Sequence, residues 1–491
     1  MESQKSFNFY NHLGFHNPYY SRDAKNNLVI ESEFGEAMWQ VSKKELDFAF
    51  LVEVLNKGYG LGDRTILRGL NKTPWVAKPD KTGSSWAYFD LPRHAENRQD
   101  EVYIAGNLYQ LLKEELLLYI SDFSQIGILL TGGMDSRIIA CVLHEMIISG
   151  ELSNKNVIAF TWGNISSRDV VYAKRIAALF NWQWEHILVT PEQLFKNYQI
   201  VIENGCEYTP IHLHGMPLIA EFGGVDCFIA GSFGDSIGRG EYSGTRVTEL
   251  RQLEHNIVNI AGLFRDDFRQ IVKDDISSDV RMYHLRFPQE KKYQQFELDM
   301  QAHYMRRMLN PCMSIINKKK PLFQMFTAPS VYGYIWSLDP SLRTDNIYRI
   351  ILESKNEALL NIPWARTGLK YPNRTGTPDR YTKRHHDYGE MIRLNFLDFI
   401  KSTIKKSALV DMDFFNMGSI YRLIDFCKLM PIKGSNFYEE RLFWLAAVAD
   451  FVTQNKISFK PLPSSSRHKG FSKNISDYLG KYVYKKIRRS S

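Results

Sequence analysis

Residues 126–137 read IGILLTGGMDSR, and this stretch decides the fold. The apolar run Ile126 to Leu130 has the length of a buried strand. A Thr-Gly-Gly turn follows, and helical spacing begins near Asp135 or Ser136. Two glycines let the backbone come close to a ligand. The free N–H groups of the turn and of the helix N-terminus favour an anion. Thr131 and Ser136 add hydroxyl donors, and Asp135 is a hard oxygen ligand able to hold magnesium on phosphate oxygens. The spacing is neither GxxxxGK[ST] nor GxGxxG, so the Walker and dinucleotide fingerprints are excluded. A tight βα turn with a capping aspartate would explain a Gly-Gly pair alone. It does not explain the whole strand, turn and acidic helix start.

Outward from this stretch, strand and helix patterns alternate. Leu108 to Tyr119 reads as a helix, Ser136 to Ile148 as a helix, Val157 to Thr161 as a strand, Val170 to Phe180 as a helix and His186 to Val189 as extended chain. Such alternation predicts βαβ units and a parallel sheet. From about residue 245 the pattern is mostly helical. Residues 1–95 are mixed, with aromatic strand-like pieces, a glycine-rich loop at Gly58–Thr65 and a polar break at Lys78–Ser85. No internal repeat is present. The expectation is an α/β fold: a parallel-sheet domain over 100–460 with a helical C-terminal part, a reduced N-terminal α+β segment over 1–95, and a basic tail over 467–491.

Composition narrows the class. The chain has 491 residues, 44% hydrophobic and 24% charged, with a net charge of +8. These are ordinary values for a globular protein. The charge permits acidic partners without requiring nucleic acid. Five dispersed cysteines (Cys141, Cys206, Cys227, Cys312 and Cys427) lack CxxC spacing, which argues against a disulfide framework or a zinc site and for a reducing compartment. The opening MESQKSFNFYNHL has no basic and apolar regions of a secretory signal, and no apolar run reaches the roughly 20 residues of a spanning helix. The expected location is cytoplasmic.

The TGGMDS string resembles the pyrophosphate-binding SGGxDS loop of the N-type ATP pyrophosphatases. The sequence around it resembles the synthetase domain of asparagine synthetase, with β-lactam synthetase and the lasso-peptide cyclases as relatives. Residues 159–163, AFTWG, resemble the family's second strand, whose backbone borders the adenine. Residues 167–173, SRDVVYA, resemble the acidic opening of the next helix. Residues 229–242, IAGSFGDSIGRGEY, resemble the family's SGEGADELFGGY element, with Gly231 and Asp235 matching. The resemblance implies ATP and Mg2+ as cofactors, bound by Leu130, Thr131, Gly132, Gly133, Asp135, Ser136, Trp162 and Gly231, with Asp135 and Asp235 as the metal pair. Paired carboxylates suit a hard cation that shares its shell with phosphates. Lys319, in NKKKPLFQ, falls where the family has an arginine, and Arg366, in IPWARTGL, where it has a lysine. Both are candidate catalytic cations. A guanidinium stabilises oxyanions but is too basic to act as a general base.

Departures from the family are as informative. Ser232 and Ser236 replace family acidic residues, the first of which handles the incoming amine in asparagine synthetase, and Gln324 stands in the altered PFLD element. The family's glutaminase nucleophile is a cysteine directly after the initiator methionine. Here that position is Glu2. Residues 58–70, GYGLGDRTILRGL, resemble the end of the family's N-terminal domain, so residues 1–95 read as a reduced remnant of it. Without an N-terminal thiol, the purified chain is expected to release no glutamate from glutamine above background. An amperometric or coupled glutamate assay checks this. Nitrogen would then come from free ammonia, from a substrate amine, or from a separate glutaminase.

Two features concern partners. In the tail, Ile475, Tyr478, Leu479, Tyr482, Val483 and Ile487 recur at helical spacing among Lys473, Lys481, Lys485, Lys486, Arg488 and Arg489. Such a helix suits either peripheral contact with an anionic membrane or packing on the protein. His212 and His214, in TPIHLHG, read as an HxH on a strand with a substrate-pocket or structural role, and His385 and His386 as part of a polar loop or helix start. Together the readings favour an AMP-forming, amide-forming ligase acting on a small-molecule or sugar carboxylate, in surface-polysaccharide or natural-product synthesis. The alternative is a regulatory protein on a degenerate synthetase fold. Transfer of nitrogen or sulfur to a nucleoside would bring clustered cysteines or an RNA-binding module, and a P-loop kinase would need a Walker lysine. None of these is seen.

Overall fold

A computed structural model describes residues 17–91, 94–238, 246–247, 252–253, 257–373, 375–432, 435–459 and 478–483. Three N-terminal strands, β1 (Tyr19–Arg22), β2 (Leu28–Glu31) and β3 (Asn71–Lys72), form an antiparallel sheet ordered β2-β1-β3, and β4 (Ala77–Pro79) pairs with β5 (Trp86–Tyr88). The main sheet is parallel throughout. It holds β6 (Gln125–Leu129), β7 (Asn156–Trp162), β8 (Gln183–Ile187), β9 (Cys227–Ala230) and β10 (Leu322–Gln324) in the order β10-β9-β6-β7-β8. Helices occupy the connections, as parallel crossovers require. The alternation expected from the sequence is therefore present, and the central strands are as apolar as burial on both faces demands.

The pleat divides the interior into two cores. Ile126, Ile128, Val157, Ala159, Cys227 and Ile229 face one cluster, while Leu129, Ile158, Phe160, Phe228 and Ala230 face the other. The second cluster also takes in Phe48 to Leu55 and the long helix Phe437–Gln454. The N-terminal segment thus feeds a core shared with the C-terminal helices, and among the described residues 17–91 have no separate core. Its polar side is buried as well. Arg306 donates to Asp63 Oδ1 (2.9 Å), to Thr73 O (2.6 Å) and to the Tyr283 hydroxyl (3.1 Å), and Arg64 bonds Asp279 (2.6 Å) and Asp47 (2.7 Å). Such buried pairs fix the segment's register even where they contribute little net stability.

Side-chain caps set the helix starts. Asp100 caps Glu101–Ile120, Ser167 caps Arg168–Leu179, and Thr190 with Pro191 at the first turn caps Pro191–Glu203. Each oxygen accepts a bond from a first-turn amide that has no partner inside the helix. All five cysteines are free and buried, and burial pushes the thiols of Cys141, Cys227 and Cys312 up to about 12. Among the described residues, no helix is long and apolar enough to cross a membrane.

Only residues 478–483 of the basic tail fall within the described chain, and they are helical. Tyr478 is buried. Its hydroxyl donates to Met430 O (2.9 Å) and Phe426 O (3.3 Å) at the end of helix Met417–Leu429, and its ring lies on Phe426 and Tyr438. Lys481 sits over Phe437 and Tyr438. Tyr478, expected on an apolar stripe, is spent on the protein itself. Residues 467–477 and 484–491 lie outside the described chain. Tyr478→Ala should destabilise the fold by about 3 kcal/mol, the cost of removing a buried aromatic ring. Denaturant unfolding checks this, and an unchanged midpoint would show that the contact carries no stability.

Candidate nucleotide site

β6 ends where the sequence placed the turn. The turn closes on itself: Thr131 N donates to Ser136 Oγ (3.1 Å), Ser136 Oγ lies 3.2 Å from both Thr131 O and Thr131 Oγ1, and Gly133 N donates to Thr131 Oγ1 (3.1 Å). Helix Met134–Ile148 then starts with Gly133 at its N-cap and no capping side chain. This leaves the helix end with its partial positive charge facing the crevice beyond the sheet. Thr131, Gly132, Gly133, Asp135 and Ser136 together form this turn and helix start.

The second half of the site comes from the neighbouring strand. β9 pairs with β6 in register Leu129↔Ala230, so the turn after β9 emerges beside the turn after β6. The contact is backbone to backbone. A Cβ at Gly231 would stand 2.6 Å from Asp135 O, and one at Gly234 would stand 2.7 Å from Asp135 Oδ1. Both positions therefore require glycine. Phe233 between them is buried at φ +69°, a left-handed conformation uncommon outside glycine and of the kind that gathers at functional turns. Asp235 follows in a π-helical turn, Gly234–Gly238, and Ser236 Oγ donates to Asp235 Oδ1 (3.1 Å).

From β6 the chain goes on to β7 and β8 on one side, and from β9 to β10 on the other. This is the switch point at which open α/β sheets bind ligands. Asp135 and Asp235 stand on the two sides of it. Both are half-buried, and with Thr131 and Ser136 they make an all-oxygen donor set. This chemistry fits a hard cation such as magnesium.

A third segment closes over the loop. Ala365 N donates to Gly132 O (3.1 Å). Arg137, fully buried, donates to Leu359 O (3.0 Å), Ile362 O (2.7 Å), Pro363 O (2.8 Å) and Gly132 O (3.3 Å). Burial pushes its pKa down to about 10, so it remains charged at neutral pH. Arg137 ties the loop to the segment that carries Arg366, whose guanidinium lies 5.1 Å from the Trp364 ring centre. The sequence singled out Arg366 but not Arg137. A buried arginine inside an amphipathic helix has no local signature, because its partners lie some 225 residues away.

Two expectations are corrected. Lys319 precedes β10 and pairs with exposed Glu221 (3.3 Å), which precedes β9. It stands at the amino-terminal edge of a parallel sheet whose loops bind at the carboxyl edge, so it is not part of this site. Leu130 contributes no group to a ligand. Its side chain is buried, its N–H donates to Phe160 O (2.9 Å) and its carbonyl accepts from Thr161 Oγ1 (2.9 Å).

At the end of β7 stands Trp162, the residue expected beside adenine. Gly163 follows at φ +108°, where a Cβ would meet the His385 ring at 2.7 Å. The Trp162 ring centre lies 6.1 Å from that of His385 and 6.4 Å from that of His214. His212 and His214 are not on a strand. They lie in and just after a 3-10 turn, Pro210–Leu213. His386, assigned no chemistry from sequence, stacks between His214 (4.9 Å) and Tyr388 (4.5 Å). Gln324 ends β10 beside Ala230, is buried, and donates to Asn310 Oδ1 (3.3 Å). Among the described residues, no group of three or more His, Cys, Asp or Glu is placed to hold a metal ion.

Residues 108–303 match the family model described as asparagine synthase. The match takes in β6 to β9, both glycine-bearing turns and both aspartates, and ends before β10 and Arg366. No curated protein matches the chain.

Proposed function

We propose, from the premise that residues 108–303 form an asparagine synthase domain, that the chain adenylates a carboxylate with ATP and transfers the acyl group to ammonia or an amine. The observation that carries this reading is that the turn bearing Asp235 packs on Asp135 at the switch point between β6 and β9, with Gly231 against the Asp135 carbonyl and Gly234 against its carboxylate. In the first step a carboxylate oxygen attacks the α-phosphorus, the bond to the β-phosphate bridging oxygen breaks, and pyrophosphate leaves. In the second, nitrogen attacks the acyl carbon, AMP leaves with the C–O electron pair, and the nitrogen loses a proton. The loop amides and the Thr131 and Ser136 hydroxyls would bind the pyrophosphate, and the backbone at Trp162 would border the adenine. Asp135 and Asp235 would hold magnesium, which when bound neutralises charge on the departing pyrophosphate. Arg366, fixed beside the loop by the Arg137 tie, would face oxyanions. The acceptor would be a small-molecule or sugar carboxylate.

Exchange of labelled pyrophosphate into ATP, dependent on an added carboxylate, tests the first step, and AMP rather than ADP should accumulate with a nitrogen donor. ADP as product would overturn the reading. The second reading, a regulatory protein on a degenerate fold, is favoured by Ser232 and Gln324 at positions where the family carries acidic groups. ATP binding with no exchange for any carboxylate would select it.

A further inference from the structure

Beyond the ends of β7 and β8 lies an open cavity of about 770 Å³, walled by His212, His214, Arg384, His386, Tyr388 and Glu440. Its size falls in the range of small-molecule sites. We propose that this cavity binds a neutral, hydroxyl-bearing ring of the sugar type beside the nucleotide loop. Its role as the acceptor pocket rests on the ligase reading, whereas the binding does not.

The charges of the cavity are already spoken for. Arg384 pairs with Asp387 (2.7 Å) and Arg393 with Glu439 (2.5 Å). Glu440 accepts from Arg441 (2.9 Å) and Thr209 (2.8 Å), and lies 3.3 Å from His212 Nε2. Glu390 sits exposed at the rim. What remains for a ligand is imidazole. Burial holds His212, His214 and His386 below their ordinary range, His214 at about 3, so the rings are neutral at physiological pH. A neutral imidazole has one donor and one acceptor nitrogen, which matches a hydroxyl, itself both. Two such nitrogens, His212 Nδ1 and His386 Nε2, are buried without a hydrogen-bond partner. Leaving a buried polar group unbonded costs about 1–3 kcal/mol, a cost that a ligand hydroxyl would remove once a small turn of the ring brings the nitrogen to the cavity surface. The stack of His214, His386 and Tyr388 gives the wall flat apolar surface for the C–H face of a ring.

The cavity adjoins the nucleotide site. His214, which lines the cavity, has its ring centre 6.4 Å from that of Trp162. A ring held here would be separated from Trp162, at the carboxyl edge of the sheet, by the His214 imidazole.

The test uses the full chain and methyl glycosides of gluco, galacto and manno configuration, each as the neutral sugar and as the uronate, observed by saturation-transfer NMR with and without Mg–ATP. At least one neutral glycoside should bind. His386→Leu and His212→Gln should each weaken it fivefold or more while melting with the parent, and Asp135→Asn should leave it unchanged. No transfer to any glycoside, or binding unaltered in both histidine variants, would overturn the proposal. Competition between ATP and the neutral glycoside would also overturn it, because the cavity would then belong to the nucleotide's ribose. Glycoside binding without uronate-dependent pyrophosphate exchange would keep the pocket and remove its role as the acceptor site, whereas the absence of exchange with every carboxylate would remove the ligase reading itself.

Discussion

Asp135→Asn is expected to weaken magnesium-dependent ATP binding by about two orders of magnitude and to leave the fold intact. The amide matches the carboxylate in shape, so the close contact with Gly234 is kept and the helix start is not disturbed. What is lost is a hard anionic ligand on one side of the switch point, where a cation must balance the charge of the triphosphate. Removal of such a ligand should weaken Mg–ATP on the order of 100-fold or more. Calorimetric titration with and without magnesium measures it. Equal affinity of parent and variant in the presence of magnesium would sink the metal assignment. A large loss of thermal stability would show instead that Asp135 serves mainly to build the turn.

The second large effect is expected at Arg137. Arg137→Met removes the donors that hold the carbonyls of Leu359, Ile362, Pro363 and Gly132. Gly132 O keeps Ala365 N and Leu359 O keeps Ile362 N, but the carbonyls of Ile362 and Pro363 lose this partner. Each buried acceptor left unsatisfied costs about 1–3 kcal/mol. Removal of a buried cation that faces only carbonyls offsets part of this, so a net loss of about 3 kcal/mol is expected. ATP affinity should fall about tenfold as the segment bearing Arg366 loosens, the scale typical of a residue that orients ligating groups. Denaturant unfolding and an ATP titration read the two effects. Arg137→Lys, which restores charge but not the fork of donors, should recover little of either. If neither stability nor ATP affinity changes in Arg137→Met, the tie does not hold the loop.

The corrections have a common cause. Lys319 sits in a stretch that resembles the family's element, and spacing alone cannot tell which end of a strand faces the crevice. In the structure its neighbour is Glu221 at the opposite edge. His212 and His214 looked like alternating strand residues, but Pro210 opens a 3-10 turn there. The period-2 pattern arose from tertiary packing rather than from a sheet. As for the described residues 17–91, they carry strand and turn signals of their own, and Phe48 to Leu55 among them pack in the core with helix Phe437–Gln454.

Within about a dozen residues, the amino-acid sequence alone determined the strand, the glycine turn and the acidic helix start at 126–137, because hydrophobic run length, glycine and the helix terminus act locally. It likewise determined the alternation that makes the sheet parallel. Only the tertiary structure decided that β9 lies beside β6, and so that the turn bearing Asp235 packs on Asp135 from a hundred residues away. It also decided that Arg137 reaches Ile362 and that His386 lies on His214. Strand order depends on which faces must be buried against which helices, and closing a longer loop costs little more than closing a shorter one. The distance along the chain therefore carries almost no information about which strands become neighbours.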